Sequence, residues 1–320
     1  MSGQRGMNQN YIKYVIRIVG IVMAALFLLF AYRYLNLKML LDYFYSMAEQ
    51  PEKLLLMFFI YGASFWLRAL AWKWYVQKNV SLAIYMDGLF LSLFINHIAP
   101  VKIGDVARIS VLADQENVSA DEAFHSVAVL RLFDMLLLLF LSACGVYYYF
   151  EEFFIFNSFL LLLGFGTAGA VVLVAVWRWK PAFVRKHIGI AKQAWAGPHA
   201  FRIFIVVFLS WICEAIVVFE VAKMVGFPLS VIQAVWVNSI TVAGQVFQIA
   251  PGGVATYEAI MSLTLTRIEP AWEKAYVVAI LSHAFKFCFS YAVGIIVLWK
   301  NPRYVMSVRS LLKKKEVEER

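Results

Sequence analysis

The stretch QIAPGGVATYEAI, residues 248–260, decides the fold, because it sets Pro251, Gly252, Gly253 and Glu258 between two apolar runs. Proline cannot continue a helix, and paired glycines favour a turn. An earlier apolar run is broken in the same way at residues 96–100. Irregular backbone is tolerated at membrane depth only where protein or a water-filled cavity satisfies its polar groups. Two such breaks therefore indicate a polar site inside an apolar protein.

The composition is typical of a membrane protein. The 320 residues are 62% hydrophobic and only 15% charged, whereas soluble domains have about 25% charged residues. Several apolar runs reach the roughly 20 residues that a membrane-spanning helix needs. We therefore predict an all-α polytopic integral membrane protein with a single membrane domain over residues 1–320. The net charge of +9 indicates contact with an anionic lipid surface rather than nucleic acid, because the basic residues cluster at span ends.

Six continuous apolar runs predict full spans. They lie near residues 14–35, 53–76, 123–150, 154–179, 201–224 and 273–299. The first has no small-residue cleavage site after it, so we expect an uncleaved span rather than a signal peptide. The two broken runs end in short pieces, 103–113 and 254–266, which as helices would be about 17 to 20 Å long. These pieces are too short to cross, so each broken run is predicted to form a re-entrant hairpin.

The distribution of basic residues predicts the orientation. With a cytoplasmic N-terminus and six crossings, most Lys and Arg outside the spans lie on the cytoplasmic side, including those of a basic tail, 300–320. This favours a multi-pass protein of the plasma membrane with both termini cytoplasmic. The span that begins the segment 201–299 is the third after the span that begins the segment 53–150, an odd number of crossings, so these segments are predicted to be inverted repeats. Inverted repeats with broken helices that meet at mid-membrane are typical of secondary transporters.

The first hairpin and the span after it supply one set of candidate residues. Lining the break are Asn96, Pro100, Gly104, Asp105 and Arg108. Asp105 and Arg108 are three residues apart and share a helix face, so they either pair with each other or contact a substrate.

Charged residues within the long spans form a second set. Arg131 and Asp134 lie in the middle of an apolar span, and His283 and Lys286 lie at the matching places in the second segment. Intramembrane charges usually face the bundle interior or a polar pathway. Glu214 and Glu220 are the candidate partners of the two basic residues in the second segment.

The second break supplies the remaining candidates. A helix that begins after Pro251, Gly252 and Gly253 presents free N–H groups, which can bind an anion such as a phosphate head group. Glu258 in its first turn could neutralise that helix end instead, as a structural cap or until substrate or a proton arrives. Both interpretations remain open at this point.

Signatures of catalysis are missing from the sequence. It contains no Gly-x-Ser-x-Gly, His-Glu-x-x-His or P-loop motif, and its three cysteines fall within apolar spans. We therefore expect no enzyme activity, no cofactor and no metal site.

The motifs together resemble the membrane region of lysylphosphatidylglycerol synthases and their stand-alone flippase-like relatives. The resemblance rests on Asn96-x3-Pro100-x3-Gly104-Asp105-x2-Arg108, on Arg131-x2-Asp134 and on Pro251-Gly-Gly-x3-Tyr-Glu258, and it covers residues 10 to 300. This chain departs from the family pattern at Asp105, where Glu is commoner, at Ala255, where glycine is usual, and at His283, where arginine is expected. Only residues 300–320 follow the last span, so we do not expect the synthase activity of the fused relatives.

The resemblance implies a lipid translocase. The expected substrate is a membrane phospholipid or a polyprenyl-phosphate-type lipid, and a separate lipid-modifying enzyme is an expected partner. Two other functions fit the residues: a non-transporting membrane partner or scaffold, and a membrane-embedded transferase acting on a lipid-linked substrate. The scaffold interpretation predicts that charge-swapped pairs restore function.

Overall fold

The structure is a computed structural model that describes residues 36–99, 103–149, 199–245 and 250–304, with scattered positions at 32–33 and between 174 and 189. All regular elements within these residues are helical. The helices are α1 (Leu37–Ala48), α2 (Pro51–Val76), α3 (Leu82–Ile98), α4 (Gly104–Ala113), α5 (Ala120–Tyr149), α6 (His199–Val225), α7 (Val231–Gly244), α8 (Thr256–Leu265) and α9 (Trp272–Lys300). A 3₁₀ turn, Pro251–Gly253, lies between α7 and α8.

Four of the described helices, α2, α5, α6 and α9, are long and apolar enough to cross a membrane. They have 26 to 30 residues, or about 40 Å at 1.5 Å per residue, against a hydrocarbon core of about 30 Å. Their bounds lie within a few residues of the predicted spans. Nearly all of the predicted spans at 14–35 and 154–179, and most of the basic tail, fall outside the described residues.

Both broken runs form helical hairpins. The helices α4 and α8 each have 10 residues, or about 15 Å, so neither can cross. Each packs against the helix before the break, α4 on α3 and α8 on α7. Asn96 of α3 fixes the first hairpin, because its side-chain oxygen accepts the Gly104 backbone N–H at 2.8 Å. In the second hairpin, Ser230 and Gln233 form a capping box at the start of α7.

The two segments repeat the same order of elements and contact each other reciprocally. Each consists of a long helix, two short helices and a second long helix. The leading long helices, α2 and α6, pack on each other; α9 packs on the first hairpin through α3, and α5 packs on the second through α7. An exchange of equivalent contacts is what a two-fold relation between two units produces. The predicted boundaries and inversion of the repeats remain predictions.

Gly104 provides a test of the close approach between α3 and α4. A Cβ added at Gly104 would overlap the Ser92 carbonyl oxygen and lie 2.7 Å from Asn96 Oδ1. We expect Gly104→Ala to lower the free energy of unfolding by about 1 to 3 kcal/mol, as overpacking usually does. Gly62→Ala on α2 is the control, because its Cβ would meet only the Phe289 ring, at 3.8 Å. Thermal melting in detergent measures both, and equal melting temperatures for the two variants would contradict the prediction.

Candidate functional site

A polar cavity lies where the tips of the two hairpins meet. The turn Pro251–Gly253 packs against α3, and the His97 ring lies 4.5 Å from that of Phe287 on α9. The cavity has a volume of about 140 Å³, which is room for several water molecules. Side chains from both segments line it. The non-helical backbone at the second break therefore meets both protein and a polar cavity, as the sequence predicted.

Four basic side chains line this cavity: Arg68, Arg108, Arg131 and Lys286. They come from α2, α4, α5 and α9, so no one helix supplies the positive charge. Charges in an apolar bundle are costly unless they pair or face a polar space. Here they do both.

Glu214 on α6 joins two of these cations. Arg68 donates a hydrogen bond to Glu214 Oε2 at 2.6 Å, and Lys286 donates to Oε1 at 3.0 Å. Lys286 also donates to Asn238 Oδ1 at 2.9 Å, and the Arg68 guanidinium lies 4.1 Å over the Trp211 ring. Of the two candidate partners, Glu214 pairs with Lys286 and Glu220 takes no part in this network, whereas His283 pairs with neither and contacts Glu258 instead.

Asp105 joins the other two cations. One oxygen accepts from Arg131 at 3.1 Å and the other from Arg108 at 3.4 Å. The pairing with Arg108 was one of the two predicted alternatives. Arg131 does not pair with Asp134, its neighbour three residues on; instead, Asp134 accepts the indole N–H of Trp211 at 3.2 Å. The Arg131 side chain is 32% exposed while that of Arg108 is 5% exposed, so Arg131 lies at the edge of the cluster.

An apolar groove between α4 and α5 begins at this edge. Its volume is about 390 Å³, and most of its lining is apolar. The apolar lining residues are Ile109, Phe124, Val127, Ala128, Leu132 and Met135. Asp105 and Arg131 line its inner part, and Arg131 also lines the polar cavity. This arginine is therefore the boundary between a polar interior and an apolar outer surface.

Glu258 on α8 and His283 on α9 form a buried pair that joins the second hairpin to α9. His283 Nδ1 lies 2.7 Å from Glu258 Oε1, and Nε2 lies 3.1 Å from the Gly252 carbonyl oxygen. The Tyr257 ring stacks on the imidazole with centroids 4.1 Å apart. Glu258 thus bonds to α9 rather than capping α8, and its Oε2 has no hydrogen-bond partner among the described residues. This pair corresponds to the pair of Asp105 and Arg131 in the first segment. In each segment an acidic residue on the second short helix bonds to a basic residue on the long helix that follows.

The turn that holds this pair requires unusual backbone angles. Gly252 has φ 65° and Gly253 has φ 77°, in the left-handed region that glycine tolerates. Ala255 has φ 72°, which costs a residue with a Cβ about 1–3 kcal/mol. The Pro-Gly-Gly sequence is thus needed to aim the Gly252 carbonyl at His283.

The structure brings most of the predicted site residues together. Those that line the cavity are Asn96, Arg108, Arg131, Asp134, Gly252, His283 and Lys286. Four further predicted residues do not line the cavity but lie next to residues that do: Gly104, Asp105, Gly253 and Glu258. Pro100 falls outside the described residues, and the side chain of Pro251 is not described. No group of three or more His, Cys, Asp or Glu residues in the described part of the chain is arranged to hold a metal.

Sequence reasoning missed Arg68 and Trp211, which also line the cavity, and it included Tyr257 only as part of the motif around Glu258 and not as a site residue. Arg68 could have been found, because it is a charged residue in the middle of a predicted span, as Arg131 is. Trp211 carried no such signal in a chain that is 17% aromatic.

Comparison with known protein families gives a match. Residues 17–294 match the family described as the lysylphosphatidylglycerol synthase TM region. No curated protein and no solved structure matches the chain.

Proposed function

The chain belongs to the family of the lysylphosphatidylglycerol synthase TM region, and this family suggests a lipid-related function in the membrane. We propose that the protein translocates an anionic, phosphate-bearing lipid between bilayer leaflets. The observation that carries this proposal is the polar cavity lined by Arg68, Arg108, Arg131 and Lys286 inside an otherwise apolar bundle. Guanidinium groups bind phosphate oxygens through charge-assisted hydrogen bonds.

Arg131 is the first group that such a lipid would contact. It is the most exposed of the cavity cations whose ion pairs the structure describes, and it shares its carboxylate partner with Arg108. A phosphate oxygen could replace Asp105 as the acceptor of Arg131, and Asp105 would keep its bond to Arg108. The acyl tails would remain in the apolar groove, next to lipid, while the head group enters the cavity.

Rocking of the two segments around the cavity would expose it to each leaflet in turn. The reciprocal packing of α9 on α3 and of α5 on α7 supports this proposal, because equivalent contacts would be exchanged between the two states. The proposal includes a plasma-membrane location with both termini cytoplasmic, the orientation that leaves most Lys and Arg on that side. No chemical step by this chain is involved, and a separate enzyme would supply any modified lipid.

A scaffold function is the second candidate, favoured by one observation. Each of the four cavity cations has a carboxylate partner in the structure, either Glu214 or Asp105. A network this complete could serve folding alone.

Lipid movement in vesicles tests the proposed function. The purified protein is reconstituted with fluorescent phosphatidylglycerol or fluorescent phosphatidylcholine, and dithionite bleaches the label in the outer leaflet. We expect the protein to accelerate loss of the protected phosphatidylglycerol signal and to have little effect on phosphatidylcholine, because only the former has a net negative head group for the cations. Protein-free vesicles are the control. No acceleration, or equal acceleration of both lipids, would contradict the proposal.

A further inference from the structure

The pair of His283 and Glu258 is buried, and neither function above requires its proton chemistry. The side chains are 3% and 7% exposed. Each imidazole nitrogen has its own partner, the Glu258 carboxyl group at Nδ1 and the Gly252 carbonyl oxygen at Nε2. The number of protons that the pair holds follows from these two contacts.

A carbonyl oxygen can only accept a hydrogen bond, so Nε2 must carry a proton. A neutral imidazole has one N–H, which leaves a lone pair on Nδ1. An ionised Glu258 would then place one acceptor against another at 2.7 Å. The observed contact therefore needs one more proton, either on Nδ1 or on Glu258 Oε1. In both cases the pair is neutral overall and holds one proton more than neutral histidine with ionised glutamate.

We propose that the pair of His283 and Glu258 is a proton-binding site through which the protein transports a proton together with each anionic lipid. This inference rests on the proposed function. Loss of the proton leaves neutral His283, with a single N–H, beside the negative Glu258 carboxylate, so His283 can donate to Glu258 or to the Gly252 carbonyl oxygen but not to both. Either α8 or the turn at Gly252 is then held less tightly to α9, at the tip where the two hairpins meet.

The surrounding charged and titratable groups leave this proton to the pair. The groups that face the pair are His97 on α3, Tyr257 on α8, and Tyr276 and Lys286 on α9. Tyr61 on α2 and Glu214 on α6 lie near Tyr257 and Lys286. The charge of Lys286 is balanced by Glu214 at 3.0 Å. The His97 ring lies 6.3 Å from that of His283, and its Nδ1 contacts the Leu93 carbonyl oxygen.

Proton and lipid binding are linked because His283 also lines the cavity. An anionic head group there repels an ionised Glu258 and so favours the protonated, neutral pair. By reciprocity, the protonated pair binds the anion more tightly. A lipid with one negative charge and one bound proton would cross as a neutral complex, and the pair would carry a net negative charge only when the cavity is without lipid.

Vesicles with a pH gradient test the coupling. One proton per lipid would drive fluorescent phosphatidylglycerol toward the leaflet that faces the alkaline side, by up to about tenfold per pH unit at equilibrium. His283→Arg keeps a positive charge beside Glu258 but cannot release its proton at these pH values, so the lipid that it moves should show no bias. His125→Gln is the control, because His125 bonds to Tyr75, away from the cavity. An unbiased wild type, or a bias that survives in His283→Arg, would overturn the proposal.

A second measurement separates this inference from the proposed function. The protein has five histidines, and ¹⁵N-histidine NMR in detergent, with His283→Arg to assign the signal, reports the protonation of both ring nitrogens. We expect a protonated Nε2 and a strong hydrogen bond at Nδ1. A histidine without a proton on Nε2 would overturn the proton site even if lipid is moved. Vesicles in which the wild type moves no phosphatidylglycerol would instead contradict the proposed function, whatever the NMR result.

Discussion

Glu214→Gln is expected to lower the free energy of unfolding by about 3–5 kcal/mol, the usual cost of removing one partner of a buried ion pair. Glu214 is the carboxylate that both Arg68 and Lys286 contact, at 2.6 and 3.0 Å. A glutamine could still accept one hydrogen bond, but it would leave two buried positive charges without compensation. Thermal melting in detergent should show a large fall in melting temperature.

Glu220→Gln is the matched control, since it makes the same chemical change on the same helix, outside the network of Glu214. We expect its melting temperature to stay near that of the wild type. If Glu214→Gln had the same melting temperature as the control, water or detergent in the cavity would be screening the charges of Arg68 and Lys286. In that case Glu214 would not organise the site.

Arg131→Gln is expected to slow phosphatidylglycerol movement in vesicles by about 10- to 100-fold, because a hydrogen bond to a charged group contributes about 1.5–3 kcal/mol. The protein should still fold, since Asp105 keeps its contact with Arg108 at 3.4 Å. The rate for Arg131→Lys should lie between those of the wild type and Arg131→Gln, because lysine keeps the charge but lacks the planar fork of donors. The measurement is the rate at which inner-leaflet label reaches the outer leaflet and is bleached there by dithionite.

The control for Arg131 is Arg202→Gln, the same substitution at an exposed position in the first turn of α6. It should leave the rate of lipid movement unchanged. The scaffold function predicts a different pattern, in which exchanging the charges of Asp105 and Arg131 restores function. Restoration by that exchange would count against a head-group site, because the reversed pair places a carboxylate where the lipid phosphate must approach.

The sequence by itself determined the helices and the breaks. Apolar runs predicted the four described long helices to within a few residues, because a helix that crosses lipid must satisfy its backbone internally and expose apolar side chains. Pro251 with its two glycines, and the lengths of the pieces that follow each break, predicted the hairpins for the same reason. The short helix α1 was missed, since its 12 residues are too few for a span.

The tertiary structure decided which charges pair. Arg131 and Asp134 lie three residues apart on α5, yet Arg131 bonds to Asp105 on α4, and Asp134 accepts from Trp211. Likewise, Glu258 could have capped its own helix, but it bonds to His283 on α9. A charge in an apolar bundle takes the nearest partner in space, and helix packing brings that partner from a distant part of the chain. Hydropathy thus fixes where the helices are, whereas the cavity and its ion pairs exist only once those helices are packed.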